Sequence, residues 1–550
     1  MHEKPRSPIV PALITLALIG FMAWTLVKHQ RRAEGLAAAE KARTEATDDR
    51  AALTAAAQKA RANALTAEAR RLGAAAFKEQ LAAHLDNDHV RRNEAVLAFK
   101  DAGALQRFLA RAKDAGLTVM SSSEKLLSAR VRYASLDGLA SEITDNSSDY
   151  EEVGGNFIAE IPTVPETEAR TARSQVPVRD NLLGAIGVAG ADNSQWGRGV
   201  TIAVLDSGVA ADATFGQRVR RLDAGHGVSI EAGEGHGTAV ASLAAGAAAD
   251  APGVAPAADI LSIRVTDSNG LGDLYTISEA IMQAVDSGAQ IINVSLGSYG
   301  TSAVLLRAIE YAMQGGAVVV AAAGNDQAAQ LMWPAAYSRV ISVGATDAMQ
   351  QQLIFSNSGA QLQITAPGYA ILAAWADESR VGFTGTSASA PVVSGAIAAL
   401  MSAYGGISAQ EAWAILVAHV NDAGAEGRDD DYGAGVIDLG WALESNDPTR
   451  VDTAISSHYY NSKDGTVDVV VQNRSATAMS GMTLVVEVNG AVSNVALPWV
   501  DARATTVVKV PVPEGAETIV NTTLLNAGGV TDKNPANNHK ASVVSLGGGE

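Results

Sequence analysis

Residues 385–404 read GTSASAPVVSGAIAALMSAY, in which Gly385-Thr386-Ser387 opens a helical run of small and apolar side chains. Upstream, 318–325 (VVVAAAGN) is a buried strand that ends on a Gly-Asn pair, and 235–238 (GHGT) precedes the small-residue helix AVASLAAG. Further back, 200–206 (VTIAVLD) is a near-continuous apolar strand that closes on an acid. Strands that are apolar at every position are buried on both faces, as in a parallel sheet covered by helices. Strands alternating with helices from Trp196 to Leu443 therefore predict an α/β unit whose loops gather at the carboxyl ends of a parallel sheet.

Four residues in these segments suit one chemistry. A serine at a helix start, here Ser387, benefits from the helix dipole and from unpaired backbone N–H groups, both of which favour a developing oxyanion. A nearby histidine (His236) can take its proton, and a buried aspartate (Asp206) can fix the imidazole tautomer. Asn325 can donate a side-chain hydrogen bond to the same oxyanion. Singly, each has a plainer reading: Asp206 and Asn325 as turn residues, His236 and Ser387 as helix caps. Their joint occurrence in this order is far more specific.

On these segments the chain resembles a subtilisin-family serine protease. VLDSGV, GHGTAVAS, AAAGN and GTSASAP match the family's aspartate, histidine, oxyanion and nucleophile motifs, which implies catalytic roles for Asp206, His236, Asn325 and Ser387. Val254-Ala255-Pro256, 292–297 (INVSLG) and Tyr432-Gly433-Ala434-Gly435 are similar to further family landmarks, and the likeness spans about residues 180–445. No G-x-S-x-G surrounds Ser387, which argues against an α/β-hydrolase. Ala239 stands where the family has a second histidine, and Ala388 and Val392 replace the common Met and His; none belongs to the triad. By the same resemblance, Ser295-Leu296-Gly297 and Ala322-Ala323-Gly324 wall the pocket for the residue before the cut. Met332 lies at or near its floor or, in the plainer reading, packs in the core. Apolar walls without a carboxylate predict small or medium apolar residues there. The chemistry needs no cofactor and no catalytic metal. The resemblance leaves calcium open, but AAGAAADAPGVAPAA is short where many relatives insert a calcium loop. His226, without a following helix pattern, reads as a surface or packing histidine.

Outward from this unit, 92–162 reads as a small β-α-β-α-β domain, with strands at Glu94–Lys100, Ala129–Tyr133 and Asn156–Ile161 and helices at Gly103–Ala115 and Leu136–Ile143. The resemblance implies an inhibitor-like prodomain, with the chain a zymogen whose own segment is its inhibitor. Residues 163–180, which include most of the proline-rich stretch from Pro162 to Pro177, read as a linker open to cleavage. Residues 1–28 contain the run IVPALITLALIGFMAWTLV, long enough at 1.5 Å per residue to cross a bilayer. An uncleaved single-pass anchor is expected, followed by a helical stalk over 29–91. Lys4 and Arg6 before the run, with the family's habit, favour a periplasmic or extracellular enzyme; Lys28, Arg31 and Arg32 pull the other way.

The peptidase-like unit is assigned 181–447. Residues 451–550 alternate in short runs such as 466–471 (TVDVVV) and 482–488 (MTLVVEV), which predict a β-sandwich resembling cell-adhesion-related Ig-like domains. The fold class is thus multidomain: anchor and stalk, α+β prodomain, subtilisin-like α/β domain and sandwich. Residues 1–113 carry 19 basic and 12 acidic side chains, whereas 114–550 carry 22 and 47. A body so acidic repels phosphate backbones, so nucleic acid is not an expected partner. Zero cysteines exclude disulfides and thiol catalysis. Expected partners are protein or peptide substrates and, through 1–28, a membrane. The rival reading is an adhesion or assembly protein whose protease mainly matures its own chain.

Overall fold

The computed structural model describes residues 74–85, 88–164, 175–223, 235–513, 517–528 and 530–544. The predicted anchor, the stalk as far as residue 73, residues 165–174 of the linker and His226 lie outside the described residues.

The first unit runs α1 (Ala74–Leu85), β1 (Val90–Phe99), α2 (Ala102–Arg111), β2 (Leu117–Ser123), β3 (Ser128–Tyr133), α3 (Leu136–Asp145) and β4 (Tyr150–Glu160). Its strands pair antiparallel in the order β2-β3-β1-β4. The order is therefore β-α-β-β-α-β, one strand more than the sequence pattern predicts. The additional strand, LTVMSSS, lies at the edge of the sheet with only Leu117 and Ser123 buried, and its three serines leave too few apolar positions to announce a strand. β4 also begins six residues before the predicted strand, at Tyr150. Phe99, Phe108 and Tyr150 pack beneath α2 and α3, and Phe77, Leu81 and Leu85 of α1 enter the same core. That apolar stripe thus faces the small unit, and the boundary drawn at residue 91 falls inside β1.

The central unit contains β5 (Thr201–Asp206), β6 (Val219–Asp223), α4 (Gly235–Ala245), β7 (Asp259–Arg264), β8 (Leu271–Asp273), α5 (Leu274–Asp286), β9 (Ile291–Val294), α6 (Ala303–Gln314), β10 (Val318–Ala322), β11 (Ile341–Thr346) and β12 (Ile364–Pro367). The hairpin β13 (Ile371–Ala374) and β14 (Arg380–Phe383) then leads into α7 (Thr386–Ala403), α8 (Ala409–Val417), β15 (Val420–Asn421) and β16 (Val436–Ile437). The nine-stranded sheet has the order β15-β16-β12-β11-β10-β9-β5-β7-β6 and is mixed, parallel except for β15 against β16. Side chains alternate along each strand, so β5 sends Ile202 and Val204 into a core with α4 and α7, and Ala203 and Leu205 into a core with α5 and α6.

Among the described residues, α7 alone is long and apolar enough to cross a membrane by length and composition, yet 89% of it is buried in the fold. It is the core helix against which α4 packs, and its alanines and serines permit that close approach. Outside α5 and α6 lies the first unit, whose Val96, Ala98, Leu126 and Ala159 complete the second core. Arg307 of α6 fastens it by donating to the carbonyls of Phe99, Leu126 and Leu127 at 3.0, 2.8 and 3.0 Å. Glu152 of β4 accepts the Ala303 N–H at 2.9 Å, a carboxylate at the positive end of α6.

The last unit is all β: β17 (Thr453–Asn461), β18 (Thr466–Asn473), β19 (Thr483–Val488), β20 (Ala491–Ala496), β21 (Thr505–Pro511), β22 (Thr518–Leu525) and β23 (His539–Val544). They form two antiparallel sheets, β17-β18-β21 and β20-β19-β22-β23, around one core that includes Val469, Val471, Leu484 and Val520.

Candidate active site

Asp206 is the last residue of β5 and fully buried. Its Oδ1 accepts the Ser207 N–H at 2.7 Å and faces His236 Nδ1 at 2.8 Å. His236 is the second residue of α4, and Gly237 N–H donates to Ser207 Oγ at 3.1 Å, tying the helix start to the loop after β5. With Nδ1–H directed at a carboxylate, the imidazole keeps its lone pair on Nε2. Phe383, at the end of β14, meets the ring edge-on with centroids 5.1 Å apart. The imidazole is thereby clamped between a charge and an aromatic edge.

Ser387 is the second residue of α7 and 1% exposed. Its Oγ donates to the Ser295 carbonyl at 3.2 Å, and no hydrogen bond joins it to His236 in this structure. Pro391 explains a neighbouring contact: proline has no N–H to give the carbonyl four residues back, so Ser387 O accepts the Ser295 hydroxyl at 3.3 Å instead. The Ser387 N–H lies in the first helical turn, where amides find no acceptor within the helix.

Asn325 follows β10 and is fully buried. Its Oδ1 accepts both the N–H and the hydroxyl of Thr386, at 3.0 and 2.9 Å, and its Nδ2 donates to the Pro162 carbonyl at 3.0 Å. Gly385 has φ +127°, and a Cβ there would stand 2.8 Å from Asn325 Nδ2. The glycine therefore gives Asn325 its place against the nucleophile helix. The four predicted residues lie at one end of the sheet, Asn325 bonded to the neighbour of Ser387 and His236 touching the strand that leads into α7.

Met332 is buried between the two predicted walls. Its N–H donates to Ala323 O at 3.0 Å, and Cβ atoms built on Gly297 and Gly324 would each fall 2.9 Å from its side chain. Ser295, Leu296, Ala322 and Ala323 are buried beside it. Among the described residues, no three His, Asp or Glu side chains gather as a metal ion requires.

Sequence reasoning missed several contributors. Asn357 accepts the Asp326 and Ala328 N–H groups at 2.9 and 3.0 Å and donates to Tyr299 Oη at 3.0 Å, bracing the loop that carries Asn325. Asn293 donates to Ser295 Oγ at 2.9 Å and accepts the Ser394 hydroxyl at 2.9 Å, locking that strip to α7. The sequence reading gives Phe383 no role, and takes Pro162 only as the end of the small domain and the start of the proline-rich stretch. The available signals were a polar Asn inside the apolar strand 291–294 and a carboxamide in the Gly- and Ser-rich turn 356–359.

Residues 197–435 match the family model described as Subtilase family. Subtilisin DY of Bacillus licheniformis is 35% identical over 222 residues, 39% of this chain and 81% of that protein. The thermophilic serine proteinase of Bacillus sp. (strain AK1) is 42% identical over 173 residues, 31% of this chain and 43% of that protein. Among solved structures, fervidolysin of Fervidobacterium pennivorans, a keratinolytic enzyme related to subtilisin, superposes with TM-score 0.56 at 18% identity. That alignment covers 84% of this chain and 92% of fervidolysin, and at this identity it speaks to the fold.

Proposed function

The chain belongs to the subtilase family and is a subtilisin-like serine endopeptidase, and from that premise we propose how its residues divide the work. Ser387 attacks the scissile carbonyl. His236 accepts the serine proton at Nε2 and returns it to the leaving amine, while Asp206 holds the imidazole tautomer and balances its charge. Asn325 Nδ2 and the Ser387 N–H stabilise the oxyanion. An acyl-enzyme forms and water releases it. The observation that carries this assignment is the Asp206–His236 contact of 2.8 Å at the same sheet end as Ser387 and Asn325.

The finer organisation belongs to the same proposal. Residues 92–162 act as the inhibitor-like prodomain, 163–180 as the linker to be cut, 181–447 as the peptidase domain and 451–550 as an Ig-like sandwich. Residues 1–28 anchor the chain, with the peptidase outside the cytoplasm. Protein or peptide substrates place a small or medium apolar side chain between the strips 295–297 and 322–324, and the close fit of Met332 against Gly297 and Gly324 supports its role as the floor. No cofactor takes part in the chemistry.

Replacing the nucleophile tests the assignment. Ser387→Ala is expected to lower peptide turnover on the order of 10⁶-fold while the fold, read by circular dichroism, is unchanged. Unchanged hydrolysis by the folded variant rejects it.

A further inference from the structure

Two of the segments that carry the triad meet on one hairpin. β13 and β14 form a sheet of their own, apart from the nine-stranded one, and a two-stranded ribbon is at best marginally stable by itself. Its tip does not fix it either: Asp377 and Glu378 have φ +63° and +58°, a left-handed backbone that side chains other than glycine, asparagine and aspartate rarely adopt. The place of the hairpin is therefore set by what holds it. β13 is held through its backbone, Leu372 N–H donating to Arg179 O at 2.8 Å and Ala374 N–H to Ser242 Oγ of α4 at 3.0 Å. On β14 the tie is a charge. Arg380 Nη1 donates to Asp212 Oδ2 at 3.2 Å, and its Nε lies 3.5 Å from Asp250 Oδ2. Asp212 belongs to the loop that leaves Asp206, and its carboxylate is buried, with Oδ1 accepting the Thr214 N–H at 2.8 Å. Further along β14, Phe383 meets the His236 ring. Trp375, before the tip, packs on Phe383 and so closely on Gly235 that a Cβ there would clash with its indole. One guanidinium thus joins the loop of the triad aspartate to the strand that touches the triad histidine.

We propose that Arg380 is a positioning residue for catalysis: through Asp212 it sets the hairpin so that Phe383 keeps the His236 imidazole in the orientation that takes the Ser387 proton. The proposal rests on the serine-peptidase reading and adds what steadies its base. A carboxylate buried without its cation draws in water or moves to reach it. Either response parts the loop after Asp206 from the hairpin, Phe383 withdraws, and the imidazole gains room to rotate. Nε2 must lie within hydrogen-bond reach of the serine hydroxyl to accept its proton, and small misplacements of reacting groups are costly in rate. The strips 295–297 and 322–324 are carried by β9 and β10, away from this tie, so the loss falls on kcat and leaves KM nearly unchanged.

The active enzyme is compared with Arg380→Ala, Arg380→Lys and the double variant Asp212→Asn/Arg380→Met on one short peptide substrate, with active sites counted by fluorophosphonate titration. The double variant keeps the bulk of both side chains and leaves no unpaired charge, so it reports on catalysis even where Arg380→Ala fails to fold. Arg380→Ala and the double variant are expected to lose about tenfold or more in kcat per active site, with KM within about twofold of the parent. Arg380→Lys, whose ammonium still reaches Asp212, is expected to recover most of that loss. Because the effect runs through Phe383, removing Arg380 from a Phe383→Leu enzyme should cost less than about twofold more. A kcat within about twofold of the parent in the folded variants overturns the proposal and leaves the serine reading standing. So does an Arg380→Lys enzyme as slow as the charge-free one, or losses that multiply in the Phe383→Leu pair. A parent enzyme that neither hydrolyses the peptide nor takes the probe on Ser387 overturns both.

Discussion

The hydroxyl of Ser387 points at the Ser295 carbonyl, and the reason lies in the residue opposite. Glu160 and Gly297 exchange backbone hydrogen bonds at 2.9 and 3.0 Å, which puts Pro162 opposite Ser295. In an antiparallel pairing the residue facing Ser295 would donate its N–H to that carbonyl, but Pro162 has none to give. The Ser387 hydroxyl fills the vacant acceptor at 3.2 Å, which turns it away from the lone pair of His236. Pro162→Ala restores the N–H, satisfies Ser295 O and releases the hydroxyl. One hydrogen bond is worth about 0.5–1.5 kcal/mol net, so self-cleavage of the variant should be roughly three- to tenfold faster. A time course of the fragment by mass spectrometry checks this, and equal or slower cleavage rejects the account. The sequence made the four catalytic candidates legible because each sits where a strand ends or a helix begins, with fixed neighbours. The supports were harder to read: Asn293 and Asn357 stand out locally only as polar residues in an apolar strand and a turn, and their partners Ser394 and Asp326, like His236 beside Phe383, lie far off in the chain.

Among the elements, the central strands were readable from unbroken apolar runs, whereas β2 was not. Its serines are there because that edge lies on a polar patch of α5: Ser121 Oγ donates to Glu279 Oε1 at 2.7 Å, and Ser123 Oγ contacts Met282 Sδ. Burial at this contact raises the Glu279 pKa above its ordinary value, with Asp273 pushing the same way while Ser121 and Arg130 oppose it. A carboxyl whose pKa is higher in the assembled state binds more protons there than when exposed. The first unit, once severed, should therefore bind the peptidase unit most tightly below the ordinary Glu range and progressively less as pH rises through the raised pKa. One proton sets the limit at tenfold per pH unit. Inhibition by the isolated first unit, titrated between pH 4 and 8, should show this slope, and Glu279→Gln should flatten it. A slope unchanged in Glu279→Gln assigns the dependence to another group.

At the scale of the whole molecule, a buried cation is among the groups that tie the all-β unit to the peptidase unit, beside contacts such as Gln472 to Val420 O and Ser457 to Gly424 O. Arg474, 4% exposed, donates to Asp438 at 2.8 Å, to Gln472 at 3.1 Å and to Asn421, and lies over the Trp441 ring at 5.3 Å. Removing it leaves Asp438 and Asn421 without that partner at the junction, a loss of about 3–5 kcal/mol for a buried pair. Arg474→Ala should therefore unfold at markedly lower denaturant concentration, while kcat of the surviving folded enzyme changes little because the residue is remote from Ser387. A midpoint shift of less than about 0.5 kcal/mol would show that the two units are held together elsewhere.

The central claim is that Ser387 is the nucleophile activated by His236 and Asp206. It is tested most directly by exposing the processed enzyme to a fluorophosphonate probe and mapping the adduct by peptide mass spectrometry. The account predicts a single adduct on Ser387 that is lost in His236→Ala. An adduct on any other serine, or undiminished labelling of Ser387 in His236→Ala, would contradict it.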